Sequence, residues 1–299
     1  MTKLLKAGVV GSGVFGGYHA RKYAEMEGIE LVGIYDLHPE RCFDMANQYG
    51  AEAYGDLDDL LKEADIITVA TPATTHARLA LQCLAAGRSV YVEKPLATTL
   101  EDADRLIQAA AGAGLVLACG HQERVVSQAM GLFDIPEKPL RLEAVRKGTP
   151  SIRSKDVSVV LDLMIHDIDL ALALTDAEPF TVEAEGDGDE ITGEASFEDG
   201  FTAVFTASRI AQARERTMRI VYPSGVLEID FVTREFSNST PFELNQDFTE
   251  TPAGRDPLGT SVQGFVNAVL GRSPRPVVTG EEAARALDLG LAVEQAAGF

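Results

Sequence analysis

From Leu4 to Gly120 the hydrophobic positions form short continuous runs at Lys6–Val10, Leu31–Tyr35, Ile66–Ala70, Ser89–Val92 and Val116–Cys119. Strands buried on both faces of a parallel sheet read this way. Helical periodicity fills the gaps at about 16–26, 39–49, 75–86 and 99–113, which gives the rhythm of successive βαβ units. After residue 125 the apolar period falls to two, at Thr181–Glu185, Glu190–Phe197, Thr202–Ser208, Arg216–Tyr222 and Val226–Phe231. Turn signals at Glu198-Asp199-Gly200 and Pro223-Ser224-Gly225 separate these runs, so an antiparallel meander is expected. A strand near 140–146 and a helix carrying Asp162 and His166 come before it. Two helices close the chain, the last opened by Thr279 with Glu282 three residues on, a capping-box spacing.

Composition narrows the class. The 299 residues are 45% hydrophobic and 24% charged, enough for two cores and ordinary for a globular enzyme. A net charge of -20 disfavours nucleic acid and anionic membranes as partners. Cys42, Cys83 and Cys119 show no CxxC or Cys/His metal spacing and read as free thiols in a reducing compartment. The first residues lack the apolar run of a signal peptide, and no run approaches the roughly 20 residues of a membrane span, so the cytoplasm is expected. The uncovered face of a large open sheet predicts a homodimer or homotetramer.

Gly11-Ser12-Gly13-Val14-Phe15-Gly16 follows the first expected strand and opens the first helix. In that context the G-x-G-x-x-G glycines permit a tight turn, approach of the backbone to a pyrophosphate, and close helix–sheet packing. Asp36 ends the second strand, about 20 residues beyond the last glycine, where a carboxylate can accept from ribose hydroxyls. The pair marks a dinucleotide site, with NAD preferred over NADP because Asp36 would repel a 2'-phosphate; Arg41 nearby softens that preference. The fold class is therefore an α/β Rossmann domain, residues 1–121, followed by an α+β domain with a large open, mostly antiparallel sheet, residues 122–299. The closing helices are free to pack back on the first domain.

In Leu161–Leu170, Asp162 and His166 stand four residues apart in an apolar helical pattern and share one face. A carboxylate beside an imidazole can hold a proton-transfer residue in one tautomer, and it can equally be a satisfied core pair. Asp167 and Asp169 lie about 100° and 300° around the helix from His166, which argues against a metal cluster and makes them helix-surface or subunit-contact residues.

Ala70-Thr71-Pro72, His76, Glu93-Lys94-Pro95 and Gly120-His121-Gln122-Glu123-Arg124 follow in order, and the Asp162-x-x-x-His166 helix comes after them. With the glycine turn, this series resembles the glucose-fructose oxidoreductase, inositol dehydrogenase and MocA family over nearly the whole chain. The resemblance implies an NAD(P)-dependent oxidoreductase that moves hydride between nicotinamide and a secondary hydroxyl of a sugar, nucleotide-sugar or cyclitol. It places general-base chemistry on His166, a contact to the reacting hydroxyl and the nicotinamide ribose on Lys94, and substrate binding or orientation on Asp162. Glu93 would sit near the nicotinamide ribose, and Thr71 and Pro72 beside the adenine ribose. His76 would neighbour the cofactor or simply pack, and Thr74 or Thr75 would cap the next helix. A cis bond before Pro95 is expected to aim Lys94. His121, Gln122 and Arg124 are candidates for substrate recognition. Within the family the 120–124 run and the Asp162–Asp169 helix look most like UDP-N-acetylglucosamine 3-dehydrogenases, with free sugars and inositols left open. A non-catalytic dinucleotide sensor is the competing class, since fold does not fix function.

Overall fold

The computed structural model describes residues 4–150 and 156–299. The chain divides into two compact units, one comprising the chain up to Gly120 with Leu258–Ala284, the other His121–Pro257 with Arg285–Phe299.

In the first unit β1 (Leu5–Val10), α1 (Val14–Glu25), β2 (Ile29–Tyr35), α2 (Pro39–Tyr49), β3 (Glu52–Tyr54), α3 (Leu57–Glu63), β4 (Ile66–Val69), α4 (Ala73–Ala85), β5 (Ser89–Val92), α5 (Leu100–Ala113) and β6 (Leu117–Cys119) alternate along the chain. The six strands form an all-parallel sheet in the order β3-β2-β1-β4-β5-β6. Every residue of β4 and β5 is buried, as their unbroken apolar runs require. Parallel pairing brings the loops that leave β1, β4, β5 and β6 to one edge, and the order reverses between β1 and β4, the place where such sheets hold ligands. β3 and α3 escape the periodicity reading, being only three and seven residues long. A local signal for α3 does exist, because the Asp56 side chain caps the Asp58 amide ahead of buried Leu57, Leu60 and Leu61.

The second unit holds α6 (Gln122–Met130), β7 (Arg141–Lys147), a π-helical turn at Val160–Met164, α7 (Ile165–Ala173), β8 (Pro179–Gly186), β9 (Glu190–Phe197), β10 (Thr202–Ser208), β11 (Glu215–Tyr222), β12 (Gly225–Asp230), β13 (Glu235–Asn238) and the short α8 (Pro252–Arg255). Its seven strands run β13-β12-β11-β7-β10-β9-β8. The meander is thus two three-strand meanders split by β7, which pairs parallel with β10 and antiparallel with β11. One face, with Leu142, Ala144, Phe205, Met218 and Ile220, is buried and packs on the π-turn and α7. The other face is polar. Arg141 bridges Glu143 and Glu194, and Arg219 bridges Glu143 and Glu228, so this face is built to meet water or a polar surface rather than to hide apolar area.

The closing helices are α9 (Pro257–Val269) and α10 (Gly280–Ala297). The α10 capping box forms in both directions, with Thr279 N donating to Glu282 at 2.9 Å and Glu282 N to Thr279 Oγ1 at 3.3 Å. α9 completes the first unit: Val262, Phe265 and Val266 enter its core, Phe265 stands edge-on to Tyr91 at 5.9 Å, and Ser261 bonds the Tyr91 hydroxyl at 2.9 Å. All three cysteines are buried and none forms a disulfide. Among the described residues, no helix is long and apolar enough to cross a membrane.

Candidate active site

The dinucleotide side is built at the β1–α1 turn. Gly11 has φ +107, and a Cβ there would press on the main chain at Ala70; a Cβ on Gly16 would overlap the Gly11 carbonyl oxygen. Gly13 has open space around it, and Val14 and Phe15 are exposed at the start of α1. The turn therefore leaves a cradle at a helix N-terminus whose free amides and positive dipole suit a pyrophosphate. Gly16→Ala forces the turn and the helix apart, and NAD affinity should fall about tenfold to a hundredfold, the equivalent of the usual cost of overpacking. Isothermal titration with NAD checks this, and an unchanged affinity rejects the cradle.

Ser12 is buried and holds Asp36: its amide and hydroxyl both donate to Asp36 Oδ2, at 2.6 and 2.8 Å. His38 N donates to Oδ1 at 2.8 Å, and Arg41 lies 3.7 Å from the same oxygen. Burial alone would raise this carboxyl, but the Ser12 and His38 amides, the Ser12 hydroxyl and the Arg41 charge outweigh it and hold Asp36 below the ordinary carboxylate value. A fixed, ionised Asp36 suits ribose hydroxyls and opposes a 2'-phosphate. Asp36→Ala should cut kcat/KM for NAD about ten- to a hundredfold, as loss of bonds to a charged group does, and narrow the preference over NADP. A preference that stays the same, measured with both cofactors, removes Asp36 from that role.

At the β4–α4 loop Thr71 is half-buried and Pro72 exposed. Pro72 itself occupies the cap position of α4, so neither Thr74 nor Thr75 caps the helix; the Thr75 hydroxyl instead donates back to Pro72 O and pairs with the Thr71 hydroxyl, both at 2.7 Å. His76 is buried, with its ring nitrogens 2.7 Å from Pro95 O and 2.8 Å from Thr71 O. Beyond β5, Glu93 is buried, Lys94 half-buried, and the Lys94–Pro95 bond is cis.

His19 is a residue that the sequence pattern passes over. It lies on the buried face of α1, its ring tilted against Tyr91 at 5.1 Å, and its Nε2 meets Glu93 Oε1 at 2.7 Å. Burial would raise the Glu93 carboxyl, but the His19 bond and the nearby His19, Lys94 and His76 outweigh it and keep Glu93 below its usual value. Gly120 leaves room for this carboxylate, since a Cβ there would come within 2.8 Å of Glu93 Oε2. The available signal was a histidine in register with buried Ala20 and Tyr23, three residues past the last glycine of the turn.

In the second unit Asp162 falls within the π-turn and His166 in the first turn of α7. Both are half-buried while Leu161, Met164, Ile165, Asp167 and Ile168 are buried, so the two share the accessible side. Such π-turns occur often at functional sites. Ser158 anchors its start, accepting from the amides of Val160 and Leu161 at 3.1 and 3.3 Å and donating to Glu294 of α10. The buried His121 ring, just before α6, stands edge-on to His166 with centroids 6.0 Å apart.

Asp167 and Asp169 are not surface residues. They are 3% and 1% exposed, and each is held by a buried arginine. Arg146 of β7 grips both oxygens of Asp167 at 2.9 and 2.8 Å and also donates to Glu123 at 3.0 Å. Arg124 of α6 grips Asp169 at 3.0 and 2.6 Å and lies 5.9 Å from the centroid of the Phe133 ring. Of the residues considered for substrate recognition, Arg124 is engaged in this ion pair, and His121 lies beside His166.

A model described as an oxidoreductase family with an NAD-binding Rossmann fold matches residues 5–121, and the Gfo/Idh/MocA C-terminal domain matches residues 146–228. Over 97% of both chains the protein is 34% identical to the UDP-N-acetylglucosamine 3-dehydrogenase of Acidithiobacillus ferrooxidans. The chain belongs to the Gfo/Idh/MocA oxidoreductase family. A solved structure of that Acidithiobacillus enzyme superposes with a TM-score of 0.91, covering 98% of this chain and 97% of the other. The myo-inositol 2-dehydrogenase of Thermotoga maritima is 28% identical over 97% of this chain and 96% of its own. As a Gfo/Idh/MocA member the protein is an NAD-binding oxidoreductase, and the glycine cradle and the Asp36 carboxylate fit that cofactor.

Proposed function

We propose that the protein is an NAD-dependent dehydrogenase acting on a secondary hydroxyl of a nucleotide-sugar, with the 3-hydroxyl of a UDP-N-acetylhexosamine as the leading substrate within the wider class of sugars, nucleotide-sugars and cyclitols. The observation that carries this reading is the similarity to a UDP-N-acetylglucosamine 3-dehydrogenase across almost the full length of both chains. The half-buried Asp162 and His166 on one accessible face, and Lys94 beside a buried carboxylate, support catalysis over mere cofactor sensing.

Bound NAD supplies the hydride acceptor. His166 takes the hydroxyl proton as the carbon gives up hydride, because the C–H bond weakens only as alkoxide character builds on the oxygen. The Lys94 ammonium stabilises that developing charge, and Asp162 orients the substrate hydroxyls. Gly11, Ser12, Gly13, Val14, Phe15, Gly16, Asp36, Thr71 and Pro72 would hold the cofactor, and Glu93 would serve its nicotinamide-ribose end.

The test is NADH formation over UDP-sugars, free aldoses, sugar acids and inositols. A rise with UDP-N-acetylglucosamine supports the substrate assignment, a rise only with inositols or free sugars moves the protein to that branch, and silence with exchangeable NAD favours the sensor. We also propose a homo-oligomer that covers the polar face of the second sheet, to be measured by light scattering, and a cytoplasmic setting, which the buried, unbridged cysteines suit.

A further inference from the structure

The buried ring of His76 lies between two main-chain carbonyls, Pro95 O at 2.7 Å from Nδ1 and Thr71 O at 2.8 Å from Nε2. A carbonyl oxygen only accepts, and a neutral imidazole carries one N–H. A neutral ring would therefore set a nitrogen lone pair against an oxygen lone pair at one of the two contacts. His76 is 1% exposed, so water cannot relieve that repulsion. Only the imidazolium, with a proton on each nitrogen, satisfies both carbonyls.

His19 lies in the same cluster. Its Nε2 faces Glu93 Oε1, and its Nδ1 has no partner among the described residues. Glu93 is flanked by His19, Lys94 and His76, whose charges all favour its ionised form. The titratable groups around this cluster are Tyr91 of β5, Glu93 and Lys94 of the loop that follows, Cys119 at the end of β6, and His19 and Tyr23 of α1.

We propose that His76 is held as an imidazolium and acts as a positioning residue, its two N–H donors fastening the loop after β4 at Thr71 to the loop after β5 at Pro95, so that the Lys94 side chain departs from a fixed point of the main chain. The part concerning Lys94 rests on the dehydrogenase reading; the protonation state of the ring does not. Neutralising His76 would leave one carbonyl without a donor and release one loop from the other.

The test uses the full chain with 15N-labelled histidine, whose five rings give a small spectrum. A multiple-bond nitrogen–proton correlation is recorded at about pH 8.5, roughly two units above the ordinary histidine pKa. His76→Gln assigns the resonance, and if that variant does not fold, ring-to-backbone correlations on the wild-type protein assign it. Both His76 nitrogens should carry protons; a bare nitrogen on His76 overturns the proposal. Gln carries both its N–H donors on one nitrogen and its amide oxygen can only accept, so it does not reproduce donors at both ring positions. Once a substrate is known, His76→Gln should lower kcat about ten- to a hundredfold with the KM for NAD little changed, and an unchanged kcat removes the positioning role. Should no substrate be found, the nitrogen spectrum still decides the protonation state.

Discussion

His166→Ala is expected to lower kcat by about two to four orders of magnitude, the usual contribution of a positioned general base. NAD affinity should not move, because the cradle at Gly11–Gly16 and the Asp36 carboxylate belong to the first unit. The acidic limb of the pH–rate profile should disappear with the ring, since that limb reports protonation of the base. Asp162→Asn is expected to act differently, chiefly on substrate KM, if its carboxylate orients hydroxyls and takes no proton. Stopped-flow measurement of NADH formation with the active substrate separates these outcomes. Turnover that survives loss of the imidazole would move the base elsewhere.

The second large effect is on stability. Asp169→Ala removes the carboxylate that grips the buried Arg124 guanidinium through two nitrogens, and removing one partner of a buried pair costs about 3–5 kcal/mol. The chain contains no tryptophan, so urea unfolding is best followed by far-UV circular dichroism. Arg124→Met combined with Asp169→Leu should recover most of the loss, because a well-packed apolar pair of similar volume often matches a buried ion pair. A single Asp169→Ala variant as stable as the parent would show that Arg124 finds water or another carboxylate.

The same pair shows where sequence reading stopped. The run Leu161–Leu170 displays its helix, and it displays Asp162 and His166 on one side, because i and i+4 stay within about 40° of each other on a helix. It does not display the partners of Asp167 and Asp169. Arg146 lies 21 residues upstream of Asp167, and Arg124 45 residues upstream of Asp169, on elements whose apposition only the fold creates. A charge in an apolar run therefore reads, from the sequence alone, as a surface residue. α6 is hidden from the pattern for a related reason: its buried face includes Arg124 and Ser127, which break the apolar stripe that marks a helix. β7 sits between two meanders because strand order in a sheet is not sequence order, and no local signal records it. By contrast, the parallel strands, the glycine turn and the α10 capping box depend on residues close in sequence, and those were legible.

α9 has a consequence for how the chain is made. Val262, Phe265 and Val266, together with the Ser261 hydroxyl on Tyr91, belong to the core begun by β1 some 250 residues earlier. A ribosome that has released only residues 1–120 holds a sheet with part of its apolar surface still uncovered. The first unit to be synthesised is therefore the one that must wait for nearly the whole chain, and during that interval its unfinished face is the natural place for a chaperone to bind or for aggregation to begin.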